Sequence, residues 1–417
     1  PSVEHPDGLT VERIDEGEGR IRVRLDSIPR ADFAADALPQ EMSGAVSAIP
    51  ARLEPKSPYY SLDVKSDNGT GGKLTVVIPN ESEPWETLDL YRWNGEAWTW
   101  LPTELDRDRE VLESVVETLP ASVMVMQTQP AALHTVAEAS TWPLENVRTG
   151  ALAEVDVSGI LIGTMGGTTG DATQLPVAAE GEVMIAPTVR NWLVGREPNW
   201  ALVSEMLSSE SSRNAHVQNL IGLAQSGGYT GVVLDYQSVQ PADREAYAGF
   251  VEDLGAAMHD LGLWLAVVVD TPAPGADGWE TGGYDWAALG QAADQLRVVM
   301  PLDPQAYVPG GQAEQLIQWA VTQVNRQRLV PVYSTMSTDG NQVVALETVL
   351  TSVGTIQAQD TLTDFVRPGT SLGFTLGSSV DLAMNAETGA TQLTTADASY
   401  WLGTPQWLRQ RLDLVDR

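Results

Sequence analysis

The chain has no cysteine among its 417 residues. This absence excludes disulfide bonds, thiolate metal ligands and cysteine nucleophiles. Histidine is also scarce, with four scattered residues, so a histidine-rich zinc site is not expected, and we predict neither a metal nor a cofactor. No stretch approaches the roughly 20 consecutive apolar residues of a membrane-spanning helix, and we therefore predict no membrane span.

Basic residues are few: 24 lysines and arginines stand against 56 aspartates and glutamates, a formal net charge of −32. A surface this acidic repels phosphate backbones, so we expect no nucleic-acid partner. The chain begins at Pro1 without an initiator methionine, as a processed product would. An export signal or a lipid anchor would therefore not be visible in this chain.

Residues 1–130 are predicted to form an all-β domain of the sandwich type. The segment Arg20–Leu25 (RIRVRL) alternates charged and apolar residues, which is typical of a half-buried strand. Asn94-Gly95 separates two such runs and predicts a tight hairpin turn. Aromatic residues gather between positions 85 and 100. They form either one face of the sandwich core or a glycan-binding strip.

The pattern changes after a predicted linker at residues 131–146. From 147 to 417, apolar strand-like runs such as Leu263–Val269 (LWLAVVV) alternate with amphipathic segments such as Pro241–Leu261. Alternation of buried strands and helices indicates a parallel sheet covered by helices. We predict that this region is a (β/α)8 barrel of the TIM type, whose functional side chains gather at the carboxyl ends of its strands.

One segment of this second region resembles a known family. Gly227–Val239 (GGYTGVVLDYQSV) is similar to the fourth-strand segment of family 18 glycoside hydrolases, in the bacterial branch of spore-cortex and spore-germination glycosidases. Weaker similarities to other strands of that barrel occur at Ala186–Trp192, Gly283–Trp286, Leu329–Tyr333 and Tyr400–Gly403. The resemblance covers roughly residues 147–417 and implies a barrel that handles N-acetylated glycans.

The catalytic pattern of the family is incomplete in this chain. The resemblance aligns the pattern Asp-Gly-x-Asp-x-Asp-x-Glu, with x any residue, so that Val233 replaces an Asp, Asp235 matches the last Asp and Gln237 replaces the proton-donating Glu. A positioned general acid contributes about 10²–10⁴-fold to the rate, and an amide has no proton to give near neutral pH. Leu302 likewise stands where the family has a Tyr. The sequence therefore predicts a pseudo-glycosidase with no catalytic residues, with residual hydrolase activity left open.

The predicted ligand-binding residues are those that the resemblance places at the mouth of the barrel. Asp235 is either part of the site or a buried structural carboxylate, and Trp401 is either a sugar-stacking floor or core. The full predicted set is Asp235, Tyr236, Gln237, Asp303 and Trp401.

Three hypotheses follow from this pattern. The first is an inactive protein, extracellular or at the cell surface, that binds peptidoglycan or a chitin-like polymer or scaffolds envelope proteins. The second is an active hydrolase whose acid has moved to Asp235 or Asp303. The third is a structural subunit of a surface assembly, and a homo-oligomer is compatible with each of them.

Overall fold

A computed structural model describes residues 2–14, 21–35, 44–66, 71–129, 136–139, 154–169, 184–193, 196–276, 278–358, 372–377 and 379–414. Most of the predicted linker 131–146 lies outside these described residues. Contact clustering divides the chain into two compact units. The first comprises Pro1–Val267, Gly283–Leu296 and Ala320–Leu329, and the second comprises Val268–Gly282, Arg297–Trp319 and Val330–Arg417.

The N-terminal region consists of short antiparallel strands. The elements are β1 (Ser2–Glu4), β2 (Leu9–Arg13), β3 (Ile21–Ile28), α1 (Arg30–Ala34), β4 (Leu53–Pro55), β5 (Tyr59–Ser66), β6 (Gly72–Val77), β7 (Leu88–Trp93), β8 (Trp98–Leu101), β9 (Glu104–Asp106), β10 (Val111–Val116) and β11 (Ser122–Thr128). One sheet has the order β1-β2-β6-β10-β9 and the other β3-β5-β11-β7-β8, with β4 paired to β11.

The two sheets of this region share a hydrophobic core. Burial alternates along β6, where Leu74 and Val76 point inward, because successive strand residues face opposite sides. These side chains lie in one buried cluster with Leu90 and Val125 of the other sheet. The all-β character predicted for this region is therefore present, with two sheets packed over one core.

The predicted hairpin is present, but its turn differs from the expected one. Strands β7 and β8 pair with Trp93 opposite Trp98, so the connection has four residues instead of two. The Asn94 side chain accepts hydrogen bonds from the backbone N–H groups of Glu96 and Ala97. An Asn side chain that caps its own loop in this way competes with the tight turn.

Strands and helices alternate after this region, as predicted. The elements are β12 (Val136–Ala139), β13 (Glu154–Ile162), β14 (Thr168–Thr169), β15 (Met184–Arg190), α2 (Trp200–Leu207), α3 (Glu210–Gly227), β16 (Gly231–Asp235), α4 (Arg244–His259), β17 (Trp264–Val269), β18 (Ala273–Gly275), β19 (Gly278–Glu280), α5 (Trp286–Ala292), β20 (Gln295–Val299), α6 (Gln312–Gln323) and β21 (Leu329–Val332). Their main sheet has the order β12-β13-β15-β16-β17-β20-β21, and the pairings from β12 to β17 are parallel.

Local sequence explains these elements. Every residue of β16 (GVVLD) is buried, as in strands covered on both faces. A Cβ at Gly231 would overlap the backbone oxygen of Trp264, so glycine permits the close pairing of β16 with β17. Residues 202–225 form two helices instead of the one that their apolar pattern suggests, because the Ser209 side chain accepts the backbone N–H of Ser212 and caps a new helix, α3.

The last part of the chain departs from the predicted barrel. Its elements are β22 (Ser337–Thr338), β23 (Val343–Val344), α7 (Leu346–Val353), β24 (Gly354–Ala358), β25 (Leu372–Leu376), β26 (Asp381–Met384), β27 (Thr391–Thr394), β28 (Ser399–Leu402) and α8 (Pro405–Asp413). Tyr400–Gly403 was expected to form the last parallel strand, but β28 pairs antiparallel with β27 and β22. A short turn favours this pairing, since the N–H of Thr395 donates to the Ala398 carbonyl and closes a hairpin between β27 and β28.

Candidate functional site

The carboxyl ends of β15 and β16 bring together a buried ion pair. Arg190 and Asp235 are cross-strand partners in the parallel ladder, and the guanidinium Nε donates to the carboxylate Oδ2 over 3.0 Å. Both residues are buried. A charge at such a depth is tolerated only when it is paired, and each of these two side chains supplies the opposite charge for the other. The Arg190 guanidinium also lies 4.3 Å from the centre of the Trp192 ring.

Gln237 continues the strand end and is fixed through its backbone. Its N–H donates to Oδ1 of Asn191 over 2.9 Å, and its carbonyl accepts from Nδ2 of Asn191 over 2.8 Å. These two hydrogen bonds tie the residue that follows β15 to the backbone two residues beyond the end of β16. The next residue, Ser238, has a φ of 57°, which turns the chain sharply away from the strand. Gln237 itself is half-buried.

Tyr236 points into the interior. Its side chain is fully buried, and its hydroxyl lies 2.6 Å from Nε2 of His216. The other ring nitrogen of His216 is 2.6 Å from the Gly166 carbonyl. Since a carbonyl only accepts, Nδ1 carries the proton and Nε2 accepts from Tyr236. The Tyr236 side chain therefore packs in the interior and supports the end of β16. The sequence analysis had predicted a ligand contact for this residue.

Burial controls the protonation of this interior pair. Desolvation lowers the pKa of His216 to about 4, and the bond to the Gly166 carbonyl opposes this shift only in part. Burial likewise raises the pKa of Tyr236 well above its usual value. Both groups are consequently neutral around pH 7, and they form a hydrogen-bonded support that carries no charge.

A cleft of about 410 Å³ opens beside the segment that follows β15, and its lining does not include Asp235, Tyr236 or Gln237. Leu161 and Ile162 of β13 form part of its apolar wall. The segment after β15 supplies the polar wall, with Asn191, Arg196 and Glu197. Asn191 thus lines the cleft and also forms hydrogen bonds with the backbone of Gln237. Sequence reasoning missed Arg196 and Glu197, although a charged pair directly after a strand end was a visible signal.

Val233 lies inside the sheet and does not reach the cleft lining described above. It is buried, and it pairs with Thr188 of β15 and Ala266 of β17. The family pattern has a carboxylate at this position, and the apolar side chain of Val233 can be buried here without a polar partner. The substitution therefore preserves the packing of the sheet.

Two predicted site residues belong to the second compact unit. Asp303 is exposed and begins the 3-10 turn Pro304–Tyr307, where its carboxylate accepts the backbone N–H of Gln305 over 2.9 Å. Trp401 lies half-buried on β28, opposite Gln392 of β27 and Thr338 of β22. The structure thus gives Asp303 a capping role and places Trp401 in an antiparallel sheet.

The described residues contain neither a metal-binding cluster nor a membrane-spanning helix. Within the ranges given above, no three acidic or histidine side chains converge in a way that could hold a metal ion. No helix in the same part of the chain is long and apolar enough to cross a membrane.

The chain has detectable relatives, although no protein-family model matches it. The uncharacterized glycosylase YvbX of Bacillus subtilis is 30% identical over 104 residues, which are 24% of this chain and 29% of that protein. The cortical fragment-lytic enzyme of Bacillus anthracis is 26% identical over 136 residues, 31% of each protein. The matches thus span less than a third of the length of these curated relatives.

A solved structure supports the fold over a longer range. The crystal structure of a class V chitinase from Pseudomonas fluorescens Pf-5 aligns with a TM-score of 0.52 at 18% identity. The alignment covers 69% of this chain and 92% of the chitinase chain. At this level of identity the likeness concerns the fold alone.

These comparisons overturn one prediction. The sequence analysis concluded from Gln237 that the chain is not an enzyme, and that conclusion is wrong: both relatives are named for glycan cleavage, as a glycosylase and as a cortical fragment-lytic enzyme. Replacement of the general-acid residue does not by itself exclude a protein from a group of glycan-cleaving enzymes. The predicted resemblance is confirmed, and this chain is similar in sequence and in fold to the family 18 glycoside hydrolases of the spore-cortex branch.

Proposed function

We propose that this chain binds an N-acetylated glycan, of the peptidoglycan or chitin-like type, at the carboxyl ends of β15 and β16 and cleaves its glycosidic bonds outside the cytoplasm. The observation that carries this proposal is the buried Arg190–Asp235 ion pair, which lies at a strand end whose next residue, Asn191, lines a 410 Å³ cleft. The relatives that act on cortical fragments support both the substrate class and the location. The matching fold supports a (β/α)8 barrel for the parallel region, and the core shared by the two N-terminal sheets supports a β-sandwich for residues 1–130.

Asp235 has the chemistry to orient the substrate. An ionised carboxylate accepts hydrogen bonds and so takes the N–H of an acetamido group. The resemblance implies that the acetamido oxygen of such a substrate attacks the anomeric carbon. In that step the bond from the anomeric carbon to the leaving oxygen breaks, and the leaving oxygen needs a proton. Arg190 keeps Asp235 charged throughout.

Gln237 changes how that proton arrives. Its amide donates a hydrogen bond to the leaving oxygen but keeps its own protons. Position 237 is half-buried, so water reaches it and supplies the proton, and the hydroxide that remains attacks the anomeric carbon and opens the acetamido adduct. Water is a much weaker acid than a positioned carboxylic acid. We therefore expect slow turnover in the wild-type protein. The substrate is held firmly in position, but proton transfer to the leaving oxygen is inefficient.

The variant Gln237→Glu tests this function directly. It restores a proton donor at a backbone that Asn191 already fixes, and it should raise kcat on N-acetylglucosamine oligomers or peptidoglycan by about 10²–10⁴-fold, with KM little changed. Release of reducing ends measures the rate. Gln240→Glu, three residues further along the chain, is the matched control and should leave kcat unchanged.

Two results would overturn the proposal. One is wild-type protein that neither binds nor cleaves any of these glycans. The other is a Gln237→Glu variant that folds and binds but shows no gain in kcat. Binding of envelope proteins and self-association stay predictions. Particle size, measured with and without glycan, tests self-association.

A further inference from the structure

The loop between β7 and β8 carries an exposed Asn-Gly pair whose groups are unevenly bonded. The side-chain Oδ1 of Asn94 accepts the backbone N–H groups of Glu96 over 2.9 Å and of Ala97 over 2.8 Å. The N–H of Gly95 forms no hydrogen bond with any of the described residues. Both Asn94 and Gly95 are exposed. The loop therefore fixes the Asn94 amide carbonyl and leaves the next backbone nitrogen open to solvent.

This arrangement favours attack of the Gly95 nitrogen on the side-chain amide of Asn94. When that nitrogen bonds to Cγ of Asn94, negative charge develops on Oδ1. Two N–H donors aimed at an oxygen stabilise such a charge as it forms. Glycine has no Cβ beside its nitrogen, so no side chain hinders the approach.

We propose that Asn94 is a site of spontaneous deamidation, at which the chain changes its own covalent structure. The bond from the Gly95 nitrogen to Cγ of Asn94 forms, the bond from Cγ to Nδ2 breaks, and Nδ2 leaves as ammonia with the proton of the Gly95 nitrogen. Water then opens the cyclic imide at either of its two carbonyl carbons, which leaves aspartate or isoaspartate at position 94. This inference goes beyond the proposed function and does not depend on it.

A second Asn loop has the same hydrogen bonds but a different neighbour. Oδ1 of Asn385 accepts the N–H groups of Glu387 over 2.9 Å and of Thr388 over 3.2 Å. The next residue is Ala386, and its Cβ crowds the nitrogen that would attack. Asn385 is also half-buried. We therefore expect Asn385 to keep its amide much longer than Asn94 does.

A third loop has the glycine, but the glycine nitrogen is already bonded. Oδ1 of Asp339 accepts the N–H groups of Asn341 and Gln342, each over 2.9 Å. The N–H of Gly340 donates to Oγ1 of Thr338 over 2.9 Å. The bonds from Gln342 and Asn341 also lower the pKa of Asp339, and an ionised carboxylate resists a nucleophile better than an amide does. Of these three loops, the one at Asn94 combines an amide, a glycine and an unbonded nitrogen.

Isoaspartate would weaken the end of the hairpin. The backbone then runs through Cβ and Cγ of residue 94, so the oxygen that caps the loop becomes a main-chain oxygen in a longer loop. Trp93 and Trp98 pair directly below this loop, with ring centres 5.6 Å apart and both side chains buried. The isoaspartate form should therefore unfold at a lower urea concentration than the unmodified protein. The aspartate form keeps the capping oxygen and should unfold nearly as the unmodified protein does.

The test follows each asparagine of the full chain during incubation at mildly alkaline pH. Peptide mapping by mass spectrometry, combined with enzymatic methylation of isoaspartate, separates Asn94 from Asn68 of the other Asn-Gly pair, which lies outside the described residues. Asn94 should deamidate about tenfold faster than Asn385, a ratio that corresponds to a barrier lower by about 1.4 kcal/mol. A synthetic peptide of residues 91–98 gives the rate without the fold. The folded chain should match or exceed that rate, because its loop supplies two donors to Oδ1.

Two variants test the cause of the difference. Ala386→Gly removes the crowding Cβ and should raise the rate at Asn385 about tenfold. Asn94→Ser keeps an oxygen that can cap the loop but has no amide, so it should abolish ammonia release from this loop while the urea midpoint stays close to that of the wild type. The proposal is wrong if Asn94 keeps its amide in the folded chain after the peptide has converted, or if Asn94 and Asn385 convert at equal rates.

Discussion

Two buried ion pairs of the same chemistry lie in different surroundings. Asp89 of β7 is 1% exposed, and its carboxylate accepts from the Arg326 guanidinium over 2.7 and 3.3 Å. Asp235 accepts from Arg190 over 3.0 Å, but that pair stands beside an open cleft through Trp192 and Asn191. Burial and pairing are common to both, so they do not mark a functional site. The cleft near the Asp235 pair is the feature on which we base its functional assignment.

The Asp89 pair joins distant parts of the chain. Arg326 follows α6, whereas Asp89 lies in the N-terminal sheet, and Gln327 donates to the Tyr91 hydroxyl over 3.4 Å beside it. Asp89 and Arg326 both belong to the first compact unit. The contact therefore fixes the N-terminal strands to the segment after α6, and we assign it a purely structural role.

Removing Asp89 should produce the largest loss of stability. Asp89→Ala leaves a buried guanidinium unpaired, which costs about 3–5 kcal/mol in the free energy of unfolding. Urea denaturation measures this loss. Asp63→Ala, which breaks an exposed pair with Lys65, should cost less than about 1 kcal/mol. A loss at Asp89 no larger than at Asp63 would show that the buried pair is not structural.

The neutral support beneath Asp235 gives the second prediction. Folding lowers the pKa of His216 from 6.5 to about 4, so between these two values the unfolded chain binds a proton that the folded chain does not. Stability should be unaffected by this group above pH 6.5 and should fall by about 3 kcal/mol as the pH drops to 4, where the loss levels off.

Unfolding free energies at pH 7 and pH 4.5 check this linkage. His216→Gln keeps hydrogen-bonding groups for Tyr236 and Gly166 but has no titration in this range. The variant should be less stable at pH 7 and should lose clearly less stability on acidification than the wild type. An equal loss in both proteins would place the acid sensitivity at other groups.

Some of this arrangement was readable in the sequence and some was not. The buried run of β16 and the strand end at Asp235 follow from local pattern, and so does the alternation of strands and helices. The partner of Asp235 does not, because Arg190 is 45 residues away and only the register of β15 against β16 brings the two together. The antiparallel β28 was missed for a related reason: a four-residue strand carries no signal of its partner's direction.

Replacing Asp235 should have a smaller effect on stability than replacing Asp89 and a clear effect on function. Asp235→Asn keeps the size of the side chain and an acceptor for Arg190, so the free energy of unfolding should fall by only about 1–3 kcal/mol. The amide holds the acetamido group less firmly, and a misplaced reacting group lowers kcat by about 100-fold. Asp89→Asn is the matched control, since it should lower stability without changing kcat of the folded protein. If both Asn variants reduced stability alone, Asp235 would be a structural carboxylate like Asp89, and the adjoining cleft would not distinguish the two pairs.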